Sequence, residues 1–176
     1  MSLEKAMAAD ICNFTVAGGA QLSCYRSDPG EGASDTRPLV LLHSINAAPS
    51  AMEMKPLFER FADSRVVYAP DLPGFGRSQR GDLPYSPSFY AQVIADFLLQ
   101  IDGPAPDVIA LSLTSEFTAR ALRDNGAVIH SLTLISPTGL GRNQPPSAEV
   151  GARINRVLNI GWLSRGLWRA LVSRRS

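Results

Sequence analysis

The feature that most constrains the fold is a series of short, uninterrupted apolar segments. Pro38–His43 reads PLVLLH, Arg65–Pro70 reads RVVYAP and Asp107–Leu111 reads DVIAL, with Ser131–Ser136 as a fourth run. Strands of this kind lack the polar alternation of a half-exposed strand, so they are buried on both faces, which is typical of a parallel sheet. The pattern therefore predicts an α/β fold.

The segments around these strands complete the predicted architecture. A Gly-Gly turn at Ala17–Gly19, between Ile11–Val16 and Ala20–Arg26, predicts an N-terminal β-hairpin. Apolar residues at helical spacing predict three helices, the first kinked or split by Pro56. They cover Pro49–Ala62, Ser86–Ile101 and Leu113–Asn125. We expect a mostly parallel sheet flanked by helices on both faces.

Composition excludes several classes of protein. The chain has 176 residues, about one domain, and a net charge of +1 gives no indication of a nucleic-acid partner. No stretch approaches the roughly 18 apolar residues of a membrane span, and the N-terminus lacks a signal-peptide-like apolar run. Two cysteines, Cys12 and Cys24, without metal-like spacing fit a reducing compartment. A cytoplasmic location is expected.

Three loops leave the carboxyl ends of predicted strands, the edge at which open parallel sheets bind ligands. They read HSINAAPS from His43, DLPGFGRS from Asp71 and SLTSEF from Ser112. Gly74 and Gly76 permit a tight turn in the second of these loops, directly after Pro73. The sequence therefore places its candidate site where the three loops meet.

These loops resemble those of the α/β-hydrolase family. LLHS matches the family's His-Gly oxyanion loop, DLPGFGRS its Asp-x-Pro-Gly-x-Gly-x-Ser loop, and ALSLTS lies where the nucleophile elbow belongs. The resemblance extends from about Ile11 to Pro137, in order and with proper spacing. It implies a small-molecule substrate. The sequence indicates no metal or organic cofactor, because it has no His/Cys cluster and no Gly-rich phosphate loop that opens a helix.

The resemblance also implies a role for individual residues. Ser112 would be the nucleophile, and the backbone N–H groups of Ile45 and Leu113 would form the oxyanion hole. His43 would anchor its loop rather than act as a base, and Ser44 stands where the family has glycine. The loop residues expected near the site are His43, Ser44, Asp71 and Gly74.

The elbow departs from the family's Gly-x-Ser-x-Gly pattern. Ala110 and Thr114 occupy the two glycine positions, where small residues are needed because the strand and helix backbones cross closely. Ala110 adds a single methyl group, whereas β-branched Thr114 is expected to fit poorly. A second interpretation of the corner is that Ser112 only caps the following helix.

A serine nucleophile also needs a base, and the chain has only two histidines. His130 precedes its strand and would lie about 20 Å from the elbow, at the opposite edge of the sheet. Glu116 and Glu149 receive no role as the triad acid. We therefore expect that this chain lacks the acid and base, and that it corresponds to an N-terminal part of the fold ending within the cap region.

The C-terminal segment has a different composition from the rest. From Arg153 onward there are six arginines and no acidic residue. We assign residues 1–142 to the α/β-hydrolase core and residues 143–176 to a linker and a helical, cap-like segment. An alternative is that residues 151–176 lie on a membrane surface. An exposed sheet edge would also permit self-association.

Two functional hypotheses follow from the site. The first is a serine hydrolase that cleaves an uncharged ester or a related acyl compound through Ser112. The second is a catalytically inactive module of the same fold that binds a ligand or a partner. A peripheral membrane protein that uses the basic C-terminal segment is a third, weaker hypothesis.

Overall fold

The computed structural model describes residues 7–30, 35–47 and 49–138. The predicted linker and cap-like segment at 143–176 lies outside the described residues. Within them the chain forms six strands and three α-helices. They are β1 (Asp10–Val16), β2 (Ala20–Arg26), β3 (Leu39–Leu42), α1 (Lys55–Phe61), β4 (Val67–Pro70), α2 (Pro87–Leu99), β5 (Asp107–Leu111), α3 (Thr114–Asp124) and β6 (Ser131–Ile135).

The strands form one mixed sheet in the order β1-β2-β4-β3-β5-β6. β3 pairs in parallel with β4 and β5, and β5 pairs in parallel with β6. The N-terminal hairpin is antiparallel and joins the sheet through an antiparallel β2–β4 pair. The predicted α/β fold with a mostly parallel sheet is confirmed, and the carboxyl ends of β3 to β6 lie at one edge.

Helices cover both faces of this sheet, as predicted. Alternate residues of β3 belong to two different apolar clusters because successive side chains of a strand point to opposite faces. Val40 and Leu42 pack in the cluster that contains residues of α2 and α3. Leu39 and Leu41 pack in the cluster that contains Phe58 of α1.

The helix boundaries follow local signals in the sequence. Ser86 accepts a hydrogen bond from the Phe89 N–H at 3.1 Å and caps α2, whose first residue is Pro87. Pro56 lies in the first turn of α1 and separates it from a 3-10 turn at Ala51–Met54. The predicted split of the first helix at Pro56 is therefore confirmed, and it places the 3-10 turn beside the loop after β3.

Candidate active site

The corner between β5 and α3 has a strained backbone. Ser112 adopts a φ of 57°, in the left-handed region, where a non-glycine residue costs roughly 1–2 kcal/mol. Its N–H donates to the Ile135 carbonyl oxygen at 2.9 Å, which ties the corner to the end of the neighbouring strand. Ser136, directly after that strand, also has a positive φ of 46°. Two strained serines therefore lie at the carboxyl edge.

The hydroxyl of Ser112 does not cap α3, so the capping interpretation is wrong. The amide that a capping serine would bind is that of Ser115, and it donates instead to the backbone carbonyl of Ser112 at 3.1 Å. The N-cap position is held by Leu113, without a side-chain hydrogen bond. Within the described residues, the Ser112 hydroxyl has no hydrogen-bond partner.

Both residues at the glycine positions of the elbow are fully buried. Ala110 and Thr114 are 0% exposed, and the Thr114 hydroxyl donates to the His43 carbonyl oxygen at 2.6 Å. The expectation that Thr114 fits poorly is therefore wrong. Its hydroxyl satisfies a backbone acceptor of the loop after β3, so the elbow and that loop are joined directly.

His43 anchors the loop that follows β3. Its ring is fully buried, and Nε2 accepts a hydrogen bond from the Leu72 N–H at 2.9 Å. Nδ1 must then carry the proton, and it donates to the Ser44 carbonyl oxygen at 2.6 Å. Desolvation lowers the pKa of His43 below its ordinary value of 6.5. With its basic nitrogen occupied, His43 cannot take a proton from Ser112.

A carboxylate that the sequence did not single out holds Ser44. Glu53 accepts hydrogen bonds from the Ser44 N–H at 2.9 Å and from the Ser44 hydroxyl at 2.7 Å. It also accepts from the Asn46 side-chain amide at 2.9 Å. Burial raises the pKa of Glu53, but these hydrogen bonds outweigh it and hold the pKa below its usual value. Glu53 belongs to no motif, and only its position after the loop could have indicated it.

Asp71 connects the loop after β4 to the same region. It is 1% exposed, and its carboxylate accepts from the Ala51 N–H at 2.7 Å and from the Arg77 N–H at 2.9 Å. Gly76 lies so close that an added Cβ would be 2.1 Å from the Asp71 carboxyl carbon. Asp71 is thus a structural residue: its carboxylate holds two loops in place and is not exposed at the site.

A cavity of about 540 Å³ opens between the three loops. Ile45 and Leu113 both line it, and within the described residues neither of their N–H groups donates a hydrogen bond. Ser112, which directly precedes Leu113, is not among the lining residues. No charged side chain is among them either. The remaining lining residues are Gly74, Phe75, Tyr85, Ser86, Pro87, Tyr90 and Phe117.

His130 lies at the opposite edge of the sheet, as predicted from its position before β6. Its Nδ1 is 2.8 Å from Oδ1 of Asp107, the first residue of β5. Burial raises the pKa of Asp107, but hydrogen bonds from Ser131, Arg65 and His130 hold it well below its usual range. This polar cluster joins the amino ends of β5 and β6 and is separate from the candidate site.

The fold and the three loops agree with the family comparison. The profile of the alpha/beta hydrolase family matches residues 39–175. The chain belongs to this family. No curated protein matches the chain in sequence.

Solved structures show the same fold at low sequence identity. An alpha/beta hydrolase fold protein from Burkholderia ambifaria is 19% identical, with a TM-score of 0.68 over 93% of this chain and 60% of that chain. An alpha/beta hydrolase from Sphaerobacter thermophilus is 22% identical, with a TM-score of 0.65 over 84% and 54%. A thermophilic esterase from Thermogutta terrifontis is 22% identical, with a TM-score of 0.64 over 85% and 52%.

The three solved structures are considerably longer than this chain. The chain spans between 52% and 60% of the length of these three neighbours. An esterase is among them, and the family is one of hydrolases. None of the helices among the described residues has the length and hydrophobicity that a bilayer span requires.

Proposed function

We propose that Ser112 is the nucleophile of a serine hydrolase that cleaves uncharged carboxylic esters or related acyl compounds. The observation that carries the proposal is the strained corner: Ser112 has a left-handed backbone, and its hydroxyl has no partner among the described residues. Strain of this kind persists only where the surrounding structure enforces it, and it concentrates at functional sites. A strand-to-helix turn of this type exposes a nucleophile in the family's elbow.

Two backbone donors complete the proposed chemistry. In the reaction, the Ser112 oxygen attacks the acyl carbon while its proton passes to the general base, and the carbonyl oxygen acquires a negative charge. Collapse of this intermediate breaks the bond to the alcohol, which leaves with the proton from the base, and water then hydrolyses the acyl-enzyme. The N–H groups of Ile45 and Leu113 would stabilise that oxyanion, since both residues line one cavity and neither N–H is otherwise used within the described residues. Each such donor contributes roughly 3–4 kcal/mol to transition-state stabilisation. Within the described residues both histidines are engaged with other groups, so we assign the triad acid and histidine to another part of the protein.

The cavity supports an uncharged acyl substrate. Apart from Ser86 and Gly74 its lining is aromatic and aliphatic, and it contains no charged side chain. Tyr90 lines it with its ring stacked on Phe117 at a centroid distance of 5.4 Å, and its hydroxyl donates to the Pro73 carbonyl at 3.0 Å. A charged acyl group would lose its hydration in this cavity without gaining an ion pair.

A second candidate function is a catalytically inactive binding module. Both histidines of the chain are engaged elsewhere, His43 with two backbone groups and His130 with Asp107. If no base reaches Ser112 from another part of the protein, the apolar cavity would still bind a ligand. The two candidates therefore differ in whether Ser112 is activated.

A fluorophosphonate probe tests the proposal, because it phosphonylates only an activated serine. In the full-length gene product we expect labelling at Ser112 and complete loss of labelling in Ser112→Ala. Ser115→Ala is the matched control, because Ser115 is a buried neighbour whose hydroxyl donates to the Ala110 carbonyl at 3.1 Å. That variant should be labelled at close to the wild-type rate. Peptide mapping by mass spectrometry locates the adduct.

Two results would contradict the proposal. Absence of labelling at Ser112 in the full-length product would favour the inactive module. Labelling of the 176-residue chain by itself would show that a base is present within it, and would overturn the assignment of the histidine to another part of the protein.

A further inference from the structure

One hydrogen bond joins the two halves of the proposed oxyanion hole. The Thr114 hydroxyl, at the start of α3, donates to the His43 carbonyl oxygen at 2.6 Å across 71 residues of sequence. Thr114 is 0% exposed, so water does not compete for this bond. A bond of this kind in a buried environment fixes the distance between the segments that it connects.

The residues at the two ends of this bond lie within two positions of the residues whose N–H groups are the proposed oxyanion donors. Thr114 directly follows Leu113, and His43 lies two residues before Ile45. The other contacts of the loop attach it to the rest of the molecule, since His43 binds Leu72 and Ser44 binds Glu53. None of these contacts reaches α3, whereas the Thr114 bond does.

The two other buried hydroxyls of α3 serve as a comparison, because each makes its hydrogen bond within the β5–α3 unit. Ser115 donates to the Ala110 carbonyl within the β5–α3 unit. Thr118 donates to the Thr114 carbonyl at 2.8 Å, within the helix itself. Of these three buried hydroxyls, that of Thr114 is the one that reaches outside the unit.

We propose that Thr114 is a positioning residue that holds the loop after β3 against the elbow, at the separation where the Ile45 and Leu113 N–H groups converge on one oxyanion. In this protein a threonine hydroxyl therefore connects the elbow to the loop after β3, at a position where a glycine would instead allow the backbones to approach closely. The inference rests on the proposed function, because it assigns Thr114 an effect on the same transition state.

The first arm of the test measures loop position without activity. Thr114→Val keeps the shape of the side chain and removes the hydroxyl, and Thr118→Val removes a hydroxyl of equal burial whose bond stays within α3. In the full-length protein we expect hydrogen exchange to be about tenfold faster in Thr114→Val at the Ser44 and Leu72 N–H groups, which are hydrogen-bonded to Glu53 and to the His43 ring. It should be unchanged in Thr118→Val, and Thr114→Ser should restore the wild-type rate. Equal exchange in both valine variants would overturn the inference.

The second arm measures catalysis with a neutral aryl ester. The missing hydroxyl should affect the oxyanion of the transition state more than the bound ester, so we expect Thr114→Val to lower kcat by about tenfold with little change in KM. Thr118→Val should keep both values, and Thr114→Ser should recover most of kcat. An equal loss of kcat in both valine variants, or faster exchange without a loss of kcat, would reduce Thr114 to a structural contact.

The two arms separate the inference from the proposed function. If the wild-type protein neither cleaves esters nor reacts with the fluorophosphonate, the proposed function is wrong, and with it the catalytic role of Thr114. The exchange arm would still decide whether Thr114 holds the loop.

Discussion

His43 is a buried histidine that satisfies backbone groups of two loops. Its acceptor nitrogen binds the Leu72 N–H and its donor nitrogen binds the Ser44 carbonyl, so only the neutral ring fits. Protonation would set the new Nε2–H donor against the Leu72 N–H donor and would bury a charge. The histidine is therefore part of the scaffold, and its titration is coupled to folding.

This coupling predicts a loss of stability at mildly acidic pH. The folded-state pKa of His43 lies below 6.5, its ordinary value, so the unfolded state binds the proton more readily. The stabilisation is complete above pH 6.5 and declines as the pH falls below it. We expect the free energy of unfolding, measured in urea, to fall steadily as the pH is lowered from about 7.5 to about 5.5.

Two variants separate His43 from the other histidine. His130→Gln should keep this pH dependence, and His43→Gln should lose it over the same range at a lower overall stability. A dependence that disappears with His130 and persists without His43 would contradict the assignment.

At this scale the sequence predicted the positions of the candidate residues better than their contacts. The loops placed Ser112, His43 and Asp71 at one edge because parallel strands share a direction. The contacts of Thr114 and Glu53 were not predictable, since each depends on how a side chain from one loop meets the backbone of another. From the sequence alone, a threonine at a glycine position of the elbow indicated poor packing, because the His43 carbonyl that accepts its hydrogen bond could not be foreseen.

Among the larger elements, the loop from Asp71 to Ser78 folds around its own first side chain. Asp71 binds the Arg77 N–H, and Gly76 packs directly on the carboxylate. The Ser78 hydroxyl accepts from the Ser23 N–H at 2.8 Å, which attaches the loop to β2. The glycine is required here by space as well as by its positive φ of 48°.

The packing of Gly76 predicts a large effect of a single methyl group. Gly76→Ala would place its Cβ on the Asp71 carboxyl and displace a side chain that binds two backbone N–H groups. We expect a loss of about 3–4 kcal/mol in the free energy of unfolding. Gly18→Ala is the control, because Gly18 has a φ of 67° and nothing within 4 Å, and it should cost only about 1 kcal/mol. Equal losses in the two variants would contradict the steric argument.

Element identities were predictable because apolar runs and helical spacing report burial. Their ends were less so: β3 is Leu39–Leu42, shorter than the predicted Pro38–His43. Proline has no N–H for a ladder, and backbone pairing with β5 ends at Leu42, so His43 already belongs to the loop that its ring anchors.

For the molecule as a whole, the sheet has two outer strands, β1 and β6. Each residue of β6 is at least partly exposed, and among the described residues nothing pairs with its outer side. An unpaired edge of this kind offers a row of backbone groups to another chain. We propose that the 176-residue chain self-associates through β6.

A charge on this edge should weaken such association. Thr133 is exposed in the middle of β6, and Thr133→Lys should shift the chain towards monomer in sedimentation velocity at concentrations where the wild type forms dimers. Thr15→Lys makes the same change on β1, at the opposite edge, and should leave association unchanged. A wild-type chain that stays monomeric, or an effect of Thr15→Lys alone, would contradict the role of β6.

The central place of β3 has a consequence for synthesis of the chain. Its neighbours are β4 and β5, and β5 ends at Leu111, about 70 residues after β3 ends at Leu42. At about 5–20 residues per second, the apolar segment LVLL leaves the ribosome several seconds before its second partner exists. During that interval it is a candidate ligand for chaperones, because the loop after β3 and the corner after β5 cannot meet before β5 has been made.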